Sequence, residues 1–142
     1  MTAPGAPRPR EGQLPVVAVV AAGGVLGSLI RYGTGLVWPA RAGGFPWATF
    51  GINVVGCAVI GVFLVLVTEI LTVHRLVRPF FGTGVLGGFT TFSTYAVDFR
   101  KLVGDGHPAT AFAYLAGTLC AALAAVWLAA TTTRRLFTRR PT

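Results

Sequence analysis

A chain of 142 residues that is 54% hydrophobic and only 11% charged, with a mean hydropathy of +0.70, is too apolar for a soluble domain of its length and reads as a membrane protein. Its net charge of +8 fits loops that face anionic lipid and the cytoplasm, and no basic stretch interleaved with aromatics points to nucleic acid. Cys57 and Cys120 lie inside apolar runs, which excludes a disulfide framework and a metal-spaced cysteine pair.

Residues 1–13, proline-rich with Arg8 and Arg10, cannot bury apolar surface and are expected to form a disordered tail. The apolar run that follows continues past Ala21-Ala22-Gly23, a cleavage-like sequence, as far as Ile30. It therefore reads as a retained first helix and not as a signal peptide. Four segments, 14–38, 47–73, 79–99 and 108–133, reach the length of about 18 to 20 apolar residues that a span needs. Short links punctuated by Pro39, Gly43, Gly44, Pro46, Gly104, Gly106 and Pro108 make consecutive spans antiparallel neighbours. The expected architecture is an all-α membrane protein, with a four-helix transmembrane domain over residues 14–133 and a basic C-terminal tail over 134–142. Four spans put Arg8, Arg10, Arg75, Arg78, Arg134, Arg135, Arg139 and Arg140 on one side, against Arg31, Arg41, Arg100 and Lys101 on the other. Eight against four favours both termini in the cytoplasm, a bias modest enough to leave dual insertion open.

Small residues at spacing four mark faces for close helix approach: Gly23 with Gly27, Gly84 with Gly88, and the ladder Gly117, Ala121, Ala125, Ala129. On the second span Thr49 and Asn53 share a face, and an interhelical hydrogen bond worth ~1 kcal/mol is the plainest role for Asn53. The third span carries Gly-Gly-Phe-Thr-Thr-Phe-Ser-Thr-Tyr, Gly87 to Tyr95, within an uncharged stretch from Pro79 to Val97. Non-helical backbone at membrane depth is tolerated only where protein or an aqueous cavity supplies partners. The third helix is therefore expected to break near mid-bilayer and to form a coordinating site. Phe92 and Tyr95, three apart, place two rings on one face just after it. Gly82, Gly84 and Gly87 also satisfy GxGxxG, but inside a span, without the strand and acidic residue that a dinucleotide site requires.

On the fourth span Thr110, Tyr114 and Thr118 recur at spacing four, a stripe of hydroxyls reaching roughly 15 Å from Pro108 and a candidate ion track. Arg31, Glu69 and Asp98 fall near span ends, and no Asp, Glu, Lys or His occupies a span's middle. Passive conduction is thus favoured over a proton-coupled pump. No Ser/His/Asp, Cys/His or metal-spaced cluster supports an enzyme.

Several of these motifs together resemble one family over about 120 residues, 23 to 133. Gly23-Gly24-Val-Leu-Gly27-Ser-Leu-Ile-Arg31-Tyr32 is similar to the GGxxGxxxRY of the first helix of the small fluoride channels called Fluc or CrcB. Thr49-Phe-Gly-Ile-Asn53-Val-Val-Gly56 resembles their second-helix TxxxNxxG, and Gly87 to Tyr95 their third-helix GGxTTFSTF. The resemblance implies a fluoride-selective channel in the cell membrane that lowers cytoplasmic fluoride by passive efflux. It also implies an antiparallel dual-topology dimer with two fluoride pathways, and a structural sodium ion held by the backbone carbonyls of Gly87 and Thr90. By motif position the fluoride pathway would comprise Asn53, Phe92, Tyr95, Tyr114 and Thr118, with Arg31 as a vestibule or structural charge. The chain departs from the pattern at Tyr95, where the family has a second phenylalanine, and at Ala122, where a serine often continues the hydroxyl track. Those departures leave open a heterodimer with a related, oppositely oriented subunit. Two other readings compete: a small dual-topology multidrug exporter, which would need a carboxylate that residues 14–30 lack, and a non-transporting membrane assembly protein.

Overall fold

The computed structural model describes residues 10–138, and every regular element among them is helical. Helix α1 spans Arg10–Val37. Helix α2, Trp47–Val65, runs on into a wide π turn over Leu66–Ile70. A second π-helical segment, Pro79–Leu86, leads into the single turn α3, Gly87–Phe89. Helix α4 covers Ser93–Gly104 and α5 covers Pro108–Thr138. Among the described residues three stretches are long and apolar enough to cross a membrane, Gln13–Val37, Trp47–Ile70 and Pro108–Phe137.

Several boundaries differ from the sequence reading for local reasons. Residues 10–13 of the expected tail are already helical, while the rest of that tail, 1–9, lies outside the described residues. The second span stops at Ile70, because Leu71 turns to extended backbone at φ −111° and ψ 133°. Helix α5 carries the first residues of the basic tail, since Arg134 joins Glu69 at the end of α2 with Nη2–Oε1 at 2.7 Å. Residues 139–142 lie outside the described residues. Residues 79–99, expected as a broken helix, form two helical pieces: the helix stops at Phe89, Thr90 adopts φ −71° and ψ 155°, and α4 begins at Ser93.

Packing follows the small residues. Segment Pro79–Leu86 and α3 lie against α1, whereas α2 and α4 both lie against α5. A Cβ on Gly23 would stand 2.9 Å from the Val85 amide nitrogen, and one on Gly27 would stand 2.8 Å from that of Phe89. Only glycine lets these backbones touch. The α5 ladder is used at one end: a Cβ on Gly61 of α2 would meet the Ala129 methyl at 3.0 Å, while Gly117 faces open space. A small aromatic core of Tyr95, Leu102, Ala111 and Tyr114 joins α4 to α5, backed by Phe45, Phe50 and Phe99. Large apolar side chains such as Leu29, Val55 and Leu123 point outward, the inside-out distribution of a chain that lipid or a second subunit covers.

Candidate functional site

Asn53 reaches across from α2 to Thr91 and grips its backbone twice. Its Oδ1 accepts the Thr91 amide at 2.9 Å, and its Nδ2 donates to the Thr91 carbonyl at 3.0 Å. A carboxamide is the side chain that can both accept and donate in one plane, so the pairing fixes the turn after Thr90. In an unbroken helix the Thr91 amide would serve the Gly87 carbonyl; here Asn53 has taken it, and the carbonyls at the end of α3 must look elsewhere. The Gly88 carbonyl meets Ser28 Oγ at 3.5 Å, and the Thr90 carbonyl meets Arg31 Nη1 at 3.4 Å, both long contacts from α1. Gly87 is exposed, and a methyl added there would meet nothing within 4 Å. On the other side of the break Thr91 Oγ1 accepts the Thr94 amide at 3.1 Å, satisfying one orphan donor of α4's first turn.

A cavity of about 420 Å³ opens beside this break. Its wall includes Arg31 and the hydroxyl-bearing Ser28, Tyr32, Thr49, Thr91 and Thr94, and no carboxylate lines it. One fixed positive charge among hydroxyl donors attracts a small anion and offers it replacements for water.

Next to the cavity the aromatics form a chain. Phe92, 79% exposed, stands 5.7 Å from Tyr95; Tyr95 stands 5.2 Å from the fully buried Tyr114; and Tyr114 meets Phe45 edge-on at 5.4 Å. The Tyr95 hydroxyl donates to the Leu115 carbonyl of α5 at 2.6 Å, which pins the ring between α4 and α5. Thr49 Oγ1 donates to Asp98 Oδ2 at 2.7 Å, and the Tyr114 hydroxyl approaches the same oxygen at 3.5 Å. One turn beyond Tyr114 on α5, Thr118 is only 4% exposed, and its Oγ1 has no hydrogen-bond partner among the described residues.

The structure thus brings together Arg31, Asn53, Thr90, Phe92, Tyr95 and Tyr114 around the break, with Thr118 one turn away on α5 and Gly87 on the exposed side of α3. Asp98 is the member that sequence reasoning missed, having been set aside as a charge near a span end. A signal for it existed: Asp98 follows Tyr95 by three residues and so shares the face of α4 that packs on α5.

Residues 18–130 match the family model described as CrcB-like protein, Camphor Resistance (CrcB). Over 124 residues the chain is 68% identical to a Streptomyces coelicolor protein named fluoride-specific ion channel FluC 1, covering 87% of this chain and 80% of that one. It is 70% identical over 109 residues to fluoride-specific ion channel FluC 2 of Streptomyces avermitilis, covering 77% and 69% of the two chains. With fluoride-specific ion channel FluC 2 of Nocardia farcinica it shares 53% identity over 113 residues, 80% of this chain and 81% of the other.

Proposed function

Because this chain belongs to the CrcB family, matched over residues 18–130, we propose that it is a fluoride-selective channel of the cell membrane, passing fluoride passively down its gradient and so lowering cytoplasmic fluoride. The observation that carries this reading is the 420 Å³ cavity at the break, walled by Arg31 and hydroxyl donors and free of carboxylates. A cavity of that make-up repels cationic drugs, which counts against an exporter, and it would be idle in an assembly protein.

Fluoride is small and tightly hydrated, so entry requires donors that replace its water. Arg31 draws the anion toward the break, and the hydroxyls of Tyr32 and Thr94 offer donors there, those of Ser28, Thr49 and Thr91 being turned to the Gly88 carbonyl, Asp98 and Thr94. Asn53 does two things in this reading: it holds the Thr91 backbone, and Nδ2, which carries a second hydrogen, keeps one donor for the anion. Phe92 and Tyr95 present ring edges, whose partial positive charge stabilises an anion between donors. The Tyr95 hydroxyl is spent on Leu115, so the departure from phenylalanine adds a tether without adding a free donor to the path. Tyr114 and the unpartnered Thr118 continue the track along α5. Exclusion of chloride follows from a path too narrow for the larger ion.

The second half of the pathway comes from a second, oppositely oriented subunit, whether a copy of this chain or a related one. Exposed Phe92 and Gly87 face that partner. A structural sodium ion between the two breaks would be held by the Gly87 and Thr90 carbonyls, and it would supply a fixed positive charge at the subunit junction. The donor set suits it: carbonyl oxygen is a hard ligand, the Gly87 carbonyl has lost its helical donor to Asn53, and Gly87 stands open. The Thr90 carbonyl, met by Arg31 at 3.4 Å, keeps a second lone pair for the ion.

Purified protein in liposomes loaded with fluoride tests this reading, with chloride-loaded liposomes as the control. Fluoride efflux without chloride efflux is the expected result. Proton-driven flux of a cationic drug without fluoride flux would establish the exporter instead, and no flux of any kind the assembly role.

A further inference from the structure

The loop between α1 and α2 borders a cavity of about 540 Å³, which adjoins the cavity beside the break at Ala48. Trp38, Arg41, Phe45 and Trp47 line it. We propose that this cavity holds the headgroup of an anionic phospholipid, with the phosphodiester on Arg41 and the glycerol and upper acyl carbons lying on Trp38 and Trp47.

The position follows from the fold. Two membrane-capable stretches, Gln13–Val37 and Trp47–Ile70, bracket the loop, so residues 38–46 sit where acyl chains give way to headgroups. Tryptophan rings prefer that depth, being apolar in body with one polar N–H, and Trp38 and Trp47 are 60% and 53% exposed. The site is built and not incidental. The Gly44 amide closes a turn on the Arg41 carbonyl at 3.0 Å, and Gly43 at φ +67° makes that turn possible. Phe45 lies tilted against Trp47 with ring centroids 4.4 Å apart and meets Tyr114 edge-on at 5.4 Å, anchoring the loop to the core.

Charge selects the occupant. Arg41 has no carboxylate within ion-pair distance among the described residues, and its planar guanidinium matches two phosphate oxygens at once. Lys101, in the last turn of α4, lines a second cavity of about 250 Å³ together with Arg41. Asp98, which accepts from Thr49, and Asp105 line that second cavity too, whereas Arg41 is the one charged residue that lines the 540 Å³ cavity. The excess is positive, which favours a lipid bearing net negative charge over a zwitterionic one, whose choline cation Arg41 would repel.

Tryptophan fluorescence reads this directly. The chain has three tryptophans, and Trp127→Phe leaves Trp38 and Trp47 as the only reporters. The variant is reconstituted in phosphatidylcholine vesicles containing rising fractions of brominated phosphatidylglycerol, and in parallel with brominated phosphatidylcholine. Quenching should show about a fivefold preference for phosphatidylglycerol, the effect of one interfacial arginine. Adding Arg41→Gln should bring that preference to parity while quenching by phosphatidylcholine and helix content stay as they were. Arg41→Lys, which keeps the charge and loses the fork, should fall between. Equal quenching by the two lipids in the Trp127→Phe parent, or a preference that survives Arg41→Gln, would overturn the proposal. So would the absence of quenching by either lipid, which means that a second subunit covers the cavity, and so would displacement of phosphatidylglycerol by inorganic phosphate, which means a free-anion site.

Discussion

The two sides of the break meet their neighbours by different means. Before it, residues 79–89 rest on α1 through glycine: Gly23 and Gly27 let the backbones of Val85 and Phe89 come within reach of a missing methyl. After it, α4 rests on α5 through rings and hydroxyls, with Tyr95 stacked on Tyr114 and tied to the Leu115 carbonyl, and with Asp98 joined to Thr49 and Tyr114. Glycine contacts fix how near two helices come but not what faces what, whereas directional contacts fix the orientation of each side chain. The first side is therefore a seat and the second a site, and Asn53, clamped on Thr91, holds the joint between them.

That division ranks the effects of substitution. Gly27→Val should be the most damaging, because its Cβ collides with backbone that cannot step aside. A loss of about 3 kcal/mol or more is expected, seen as absence of monodisperse protein in detergent, and a well-behaved Gly27→Val protein would show that the seat is softer than described. Asn53→Ala should come next. Two buried backbone groups of Thr91 lose their partners at about 2 to 3 kcal/mol in all, read as a lower thermal transition, and Asn53→Asp, which can accept from the Thr91 amide but not donate to its carbonyl, should recover only part of it. Tyr95→Phe removes one hydrogen bond and should cost ~1 kcal/mol with fluoride efflux preserved, since the hydroxyl points at Leu115 and not into the path. Loss of efflux in that variant would place the hydroxyl in the pathway. Gly87→Ala should be the mildest for the stability of the single chain, within about 0.5 kcal/mol, because the added methyl meets no atom of the chain within 4 Å.

The seat was readable from sequence because small residues at spacing four imply close approach whatever the partner. The Gly117 end of the α5 ladder shows the limit of that inference, since a notch does not name what fills it and this one stays open. The site was only partly readable. Asn53 and the Gly87 to Tyr95 stretch stood out as polar groups at membrane depth, but their pairing links residues 38 apart in sequence and depends on α2 crossing the break. Length and composition mark residues 79–99 as one span and the Gly-Thr stretch marks a break in it, but neither names the Asn53 grip on Thr91 that holds the turn between the two helical pieces. Asp98 was missed because a carboxylate near a span end defaults to the water interface, and only the arrival of Thr49 and Tyr114 gives it buried work.

Phe92 separates structure from conduction more cleanly than any other residue. It is 79% exposed and touches one ring, Tyr95, so the single chain does not depend on it. Fluoride efflux from liposomes should fall about tenfold or more in Phe92→Ile, equivalent to ~1.4 kcal/mol of added barrier, while expression, thermal transition and subunit assembly match the unsubstituted protein. Efflux at the unsubstituted rate would contradict the placement of the fluoride pathway at the break.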